Sequence, residues 1–156
     1  KYTWVDIGSS YLPGEIIAAF LCAQLEEAES ITLERLKTWS TYHQAFSNME
    51  ERRLVRRPII PIGCKHNAHM YYLLLKNLKQ RSFFIDRMKN TGINCVFHYV
   101  PLHSSPYGVI HSRKHGHLIK TEEISERLVR LPLWKGIDKI ELIIEVALRA
   151  IEDSQK

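Results

Sequence analysis

At 156 residues, with 45% hydrophobic and 25% charged side chains, the chain is long enough to bury one core but not two. Its formal charge of +5 leaves room for an anionic partner, but acidic residues are interspersed throughout and the one dense basic cluster is Arg52-Arg53 with Arg56-Arg57. That cluster has no aromatic-interleaved basic face, which argues against nucleic acid and for a solvated connection, and no apolar run is long enough for a membrane span.

The chain opens on a polar loop, Asp6-Ile7-Gly8-Ser9-Ser10-Tyr11-Leu12-Pro13-Gly14-Glu15, that runs directly into an apolar stretch over residues 16–25. A helix start carries unpaired N–H groups and a partial positive charge. Small hydroxyl residues ahead of it therefore suit either a bound phosphate or the cap of the helix itself. The spacing predicts a helix over residues 15–48, bent or broken near Ser30-Ile31-Thr32. Its first turns are apolar nearly all round, as in a helix buried between neighbours, and Leu36, Trp39, Tyr42, Phe46 and Met49 form one core-facing stripe.

Residues 57–63 read as a short extended segment limited by prolines, and residues 68–76 as an aromatic-rich strand. A helix is expected over 81–91, with Phe84, Ile85 and Met88 on one face and Gly92 ending it. A strand follows over 93–100, then an irregular stretch over 101–117. A helix over 121–130, with Thr121 as its cap, leads to an extended 131–134. The last helix covers 138–153, with an apolar stripe of Ile140, Ile143, Ile144, Ala147, Leu148 and Ile151. This order argues for an α+β layer of helices over a small sheet.

Cys22, Cys64 and Cys95 are odd in number and widely spaced, so no disulfide framework is implied and a reducing cytoplasm is the simplest setting. Cys22 and Cys95 lie in apolar segments, where small thiols are usually buried. His66-Asn67-Ala68-His69 and His111 with His115-Gly116-His117 have metal-like spacing, but no Cys pair or H-E-x-x-H accompanies them and incidental loop histidines are the better account. No motif marks a cysteine or serine as a nucleophile.

The opening D-I-G-S-S-Y-L-P-G-E-I-I-A-A-F-L-C-A-Q-L resembles a segment of the DegT/StrS family of sugar-nucleotide aminotransferases, which use pyridoxal phosphate. The resemblance returns, in order, at Asn67-Ala68-His69-Met70-Tyr71, at Val96-Phe97-His98-Tyr99-Val100-Pro101-Leu102-His103 and at Ser125-Glu126-Arg127-Leu128-Val129-Arg130-Leu131-Pro132-Leu133. It covers nearly the whole chain but only the C-terminal part of the family's longer members. Within the family it is most similar to the subgroup making dTDP-4-amino-4,6-dideoxygalactose from dTDP-4-keto-6-deoxyglucose, chemistry that feeds cell-surface polysaccharide and lipopolysaccharide.

The resemblance implies the α+β small C-terminal domain of a fold-type I pyridoxal-phosphate transferase, its helices packed on a small, mainly antiparallel sheet. Residues 1–50 would be an interface loop and long helix leading from an absent large domain, and residues 51–156 the small domain. In the family this loop crosses a dimer interface to the partner's cofactor phosphate. Ser10 stands where a phosphate-contacting Asn usually stands, flanked by Ser9 and Tyr11; Leu12 replaces an Arg, and Gly14 departs from the usual Ser. His98, Tyr99 and His103 match an H-Y-x-P-x-H at the active-site rim, near cofactor and nucleotide sugar. The alternative is a strand end whose aromatic residues finish the core.

The family's Schiff-base lysine and the acid that pairs with the pyridine nitrogen lie upstream of the matched segment, and Lys76, Lys79 and Lys114 lack the lysine motif. No catalytic residue and no metal ligand is therefore expected here. The chain should not transaminate or retain pyridoxal phosphate by itself. It opens at Lys1-Tyr2-Thr3-Trp4 rather than Met, which fits a fragment, a truncated reading frame or half of a split enzyme. A homodimer through the N-terminal loop and long helix is implied, with glutamate as amino donor. The competing reading is a non-catalytic dimerising module or a degenerate remnant.

Overall fold

Apolar side chains at three- and four-residue spacing between positions 36 and 49 lay the first half of the chain onto the rest. The computed structural model describes residues 7–9 and 11–155. Helices α1 (Glu15–Glu26), α2 (Ala28–Ala45) and α3 (Ser47–Glu51) follow one another, interrupted at Glu27 and Phe46. Both residues leave helical geometry for ψ near zero (φ −96°, ψ 4° and φ −90°, ψ 8°). The helix expected over 15–48 is therefore three helices, and the break expected near Ser30-Ile31-Thr32 falls at Glu27. Across the junction, Lys135 Nζ lies 3.4 Å from Glu27 Oε2 and 3.1 Å from Ser30 Oγ.

Strand β1 (Tyr71–Leu74) is shorter than the 68–76 expected, because Ala68 sits at a left-handed φ of 49°. Arg56 and Leu74 exchange backbone hydrogen bonds at 2.9 and 3.0 Å as an isolated bridge, so the extended 57–63 segment does not become a strand. Helix α4 (Leu78–Asn90) starts three residues before the expected 81, since the Asn77 side chain accepts the Gln80 N–H and caps it. Gly92, at φ 78°, ends it as expected.

Strand β2 (Val96–Phe97) is all that remains of the predicted 93–100, because Tyr99 turns to φ 63°. The stretch expected to be irregular holds a 3₁₀ turn at Leu102–Ser104 and helix α5 (Pro106–His111), capped by Ser105, which accepts the Gly108 N–H at 3.0 Å. Helix α6 (Ile119–Arg127) starts and stops earlier than predicted. Leu118, not Thr121, is its N-cap, and strand β3 (Leu128–Leu131) replaces its last turn. Helix α7 (Ile140–Asp153) closes the chain.

The sheet order is β1-β3-β2 and both pairings are antiparallel, in register Tyr71 to Leu131, Leu73 to Val129 and Val96 to Arg130. Side chains alternate across the sheet. Tyr71, Leu73, Val129 and Leu131 enter the core, with Trp39 and Tyr42 from α2, Phe46 from the junction, Met49 from α3, Phe84 and Met88 from α4, and Ile143, Ala147 and Ile151 from α7. Tyr72, Arg130 and Val96 share the opposite face.

The predicted stripes of 36–49 and 140–151 hold: Leu36, Ile140, Ile144 and Leu148 are partly buried and the rest buried. The basic cluster is mostly solvated, as expected: Arg52, Arg53 and Arg56 are exposed, with Arg52 paired to Glu152 at 2.7 Å. Only Arg57 is partly buried, and it donates its backbone N–H and Nε to the Glu50 carboxylate at 2.7 Å each. Cys95 is buried, and burial pushes its thiol up to about 12, whereas Cys22 is exposed, contrary to expectation. The reason is that α1 buries no residue against this chain; Ile16, Ile17, Phe20 and Leu25 are each more than 60% exposed. Among the described residues, no helix is long and apolar enough to cross a membrane.

Candidate functional site

The turn that carries His98, Tyr99 and Pro101 is shaped by local backbone chemistry. Tyr99 takes the left-handed region just after β2 and so ends the strand, and Pro101 starts the 3₁₀ turn, whose Leu102 carbonyl accepts the Ser105 hydroxyl at 2.8 Å. Helix α6 runs beside it. Between turn and helix lies a cavity of about 610 Å³ lined by His98, Tyr99, Val100, Leu102, Ile124 and Leu128, with Lys120, Thr121 and Ser125 as further polar groups. A second cavity of about 380 Å³ lies on the far side of Tyr99 and Pro101, walled by Arg81, Phe97, Glu122 and Glu126. A mostly apolar cleft with few polar groups is the ordinary form of a small-molecule site.

His98 is half-buried. Its Nδ1 has no hydrogen-bond partner and no solvent access, and its ring meets Tyr99 edge-on at 5.1 Å. Tyr99 is 73% exposed and lines both cavities. His103 is turned away from the larger cavity: its Nε2 lies 3.1 Å from Glu122 Oε1, with the imidazole only 10% exposed. An ionised carboxylate only accepts, so Nε2 carries the proton. His98 and Tyr99 are thus brought together, and His103 sits behind them as a brace between the 3₁₀ turn and α6.

Arg81 donates Nη1 to the Ser125 carbonyl at 2.8 Å and lies over the Phe97 ring at 5.1 Å. Burial, opposed by Glu126, lowers its basicity below the ordinary guanidinium value.

Ser9 and Tyr11 are exposed, Tyr11 to 90%, and neither lines these cavities. Ser10 lies outside the described residues. Gly14 is the N-cap of α1 and no side chain caps it, so Ser9 is not spent on closing the helix. Among the described residues, no three His, Cys, Asp or Glu side chains gather as a metal site. His66 Nδ1 accepts the Ala68 N–H at 3.2 Å and its ring packs on Trp39, while His111 packs on Tyr107.

Sequence reasoning missed Arg81 and Lys120, took Thr121 only as a helix cap and met Ser125 only within a motif of the resemblance. The packing of α4 and α6 beside the 3₁₀ turn brings all four to the cavities.

A family model matches residues 1–147. The chain belongs to the DegT/DnrJ/EryC1/StrS aminotransferase family. It is 31% identical over 137 residues to an uncharacterized protein of Methanocaldococcus jannaschii, covering 85% of this chain and 35% of that protein. The fold matches an aminotransferase from Streptoalloteichus hindustanus at a TM-score of 0.85, with 19% identity, over 100% of this chain and 41% of the other. It also matches a Streptococcus pneumoniae protein assigned as a sugar aminotransferase and solved in a PLP-form, at a TM-score of 0.73 and 18% identity, over 90% and 36% of the two chains. At such identities the likeness establishes the fold alone. The chain spans little more than a third of the length of the curated relative and about two fifths of the first of these structures.

Proposed function

We propose that this chain is the small-domain portion of a pyridoxal-phosphate-dependent aminotransferase that moves an amino group from glutamate onto a nucleotide-linked 4-keto-6-deoxy sugar. The observation that carries this reading is the cleft of about 610 Å³ with His98 and Tyr99 at its rim, set in a chain of this family. An imidazole and a phenol hydrogen-bond sugar and phosphate oxygens, and the apolar wall of Val100, Leu102 and Ile124 suits a ring face. His98, Tyr99 and, through its brace on α6, His103 serve the nucleotide sugar. Ser9, Ser10 and Tyr11 serve a cofactor phosphate held mainly by a partner subunit, within a cytoplasmic homodimer.

Pyridoxal phosphate supplies an electron sink at the carbon that gains or loses nitrogen. The residues present fit its phosphate end: the uncapped start of α1 and the exposed Ser9 offer donors. They do not fit its aldehyde end. Lys120, the one lysine among the described residues lining the cleft, is 87% exposed and 3.7 Å from Glu123, without the burial that makes a lysine nucleophilic. Residues 1–50 form the interface segment and 51–156 the small domain. The amino transfer itself rests on groups outside this chain.

Mixing the chain with a separately made large-domain polypeptide tests this. A complex that transaminates a nucleotide-linked 4-keto sugar supports it, and lysine-dependent visible absorbance from this chain alone with pyridoxal phosphate overturns it. A second reading, a dimerising module without catalysis, is favoured by the uncovered Ile16, Ile17, Phe20 and Leu25 of α1. Light scattering that shows a dimer, together with no binding to the large domain, would select it.

A further inference from the structure

The sheet face opposite the core carries an unpaired cation. Arg130 stands on the central strand β3, level with Tyr72 on one side and Val96 on the other, and is half-buried. Its guanidinium lies 6.0 Å over the Tyr99 ring. Its Nε has neither solvent access nor a hydrogen-bond partner, and it makes no ion pair among the described residues. The other partly buried arginines each have a partner for the guanidinium: Arg57 has Glu50, Arg127 has Glu123 and the Leu75 carbonyl, Arg35 has the Ala68 and His69 carbonyls, and Arg81, whose Nε is likewise unpartnered, donates Nη1 to the Ser125 carbonyl. A desolvated donor left open in this way costs free energy unless a further group meets it.

Arg130 lines a cleft of about 190 Å³ that also receives His69 and Asn94, walled by Met70, Val96 and Leu133. No carboxylate lines it. Three donor-bearing side chains thus converge, from β3, from the turn before β1 and from the loop before β2. The turn that delivers His69 is held firmly. Asn67 Oδ1 accepts the His69 N–H at 3.1 Å, Ala68 is left-handed, and Arg35 donates to both the Ala68 and His69 carbonyls. The volume is below that of ordinary ligand pockets and suits one phosphate or carboxylate group rather than a nucleotide.

We propose that Arg130, with Asn94 and His69, forms an oxyanion site. The guanidinium binds two oxygens side by side, and the Asn94 amide and the His69 ring supply the flanking donors. The anion is a phosphate or a carboxylate; in an aminotransferase these would be the diphosphate of the nucleotide sugar or a carboxylate of the amino-acid donor. Arg130 also stacks on Tyr99, so an occupied site stiffens the rim of the larger cleft. The site goes beyond the aminotransferase reading and does not require it, since the chain could bind the anion and still fail every assay for amino transfer.

The test is titration of the 156-residue chain with inorganic phosphate, pyrophosphate and 2-oxoglutarate, read by NMR at the Arg130 Nε–H and the Asn94 amide and by calorimetry. The expected result is saturable movement of both signals. Preference for pyrophosphate assigns the nucleotide's diphosphate, and preference for 2-oxoglutarate assigns the donor's carboxylate. Arg130→Gln should weaken binding at least tenfold, Asn94→Ala several-fold, and Arg149→Gln, on the exposed face of α7, should leave it unchanged. Should Arg130→Gln unfold, wild-type mapping and Arg130→Lys, weaker but still binding, decide the matter. Signals at Arg130 and Asn94 that stay still at tens of millimolar of all three anions would overturn the site.

Discussion

Tyr42 and Tyr71 provide a controlled experiment inside one core. Both are fully buried, with ring centroids 5.3 Å apart, and burial pushes both phenols well above their ordinary range. They differ in one respect. The Tyr42 hydroxyl donates to the Pro132 carbonyl at 2.9 Å, linking α2 to the segment after β3, whereas the Tyr71 hydroxyl is buried without a partner. Tyr42→Phe keeps the ring but strands the carbonyl, which should cost about 1–2 kcal/mol. Tyr71→Phe removes a desolvated hydroxyl that gains nothing, so its effect should lie between zero and about 1 kcal/mol of stabilisation. Urea unfolding followed by tryptophan fluorescence measures both, and an unchanged m-value licenses the comparison. For a chain of this length Tyr42→Phe should lower Tm by about 2–6 °C. Equal losses for the two variants would refute the reasoning, because they would mean that Tyr71 has a partner of comparable worth.

Acid sensitivity should come in two limbs. Burial, reinforced by the Arg57 guanidinium, holds His43 below its ordinary imidazole value, so the unfolded chain binds the proton first and stability falls as pH drops below about 6.5. His43→Gln should flatten that limb of a urea-midpoint profile. Burial alone would raise Glu50, but its hydrogen bonds from Arg57 outweigh that and hold it below the usual carboxylate range. Its contribution is therefore present above the unfolded value and lost below about pH 4.5, and Glu50→Gln should remove it. A disulfide-exchange reagent should titrate Cys22 and Cys64 quickly in the native chain and reach Cys95 only on unfolding; three equal native rates would contradict the burial of Cys95. Gly108→Ala would set a Cβ 1.7 Å from the Leu102 carbonyl oxygen, displacing the 3₁₀ turn from α5 at a cost of about 1–3 kcal/mol, visible as lost amide protection over residues 102–111.

Periodicity carried the helices well because amphipathic spacing is a local property. The stripes of 36–49 and 140–151 enter the core as their sequence pattern requires, and Gly92 stops α4 where its backbone freedom is needed. Strands were harder to read, since two to four residues offer too little alternation and pairing depends on distant partners. Taking residues 128–130 for helix hid the alternation that puts Val129 and Leu131 in the core and Arg130 on the open face. His98 and Tyr99, which line the cleft, were legible through the family motif, whereas Arg81 and Lys120 were not, because nothing local distinguishes a cavity-lining cation from a solvated one.

The amino-acid order by itself determined the α+β class, the core faces of the long helices, the buried place of Cys95 and kinship with an aminotransferase family. Each follows from neighbours a few residues apart or from motifs kept in order. Only the tertiary structure decided that α1 buries nothing within this chain, that the first helix breaks at Glu27, that His103 pairs with Glu122 and that the Arg130 Nε has no hydrogen-bond partner among the described residues. Those outcomes depend on which side chains meet across long stretches of sequence, and desolvation and pairing act only once the chain has closed.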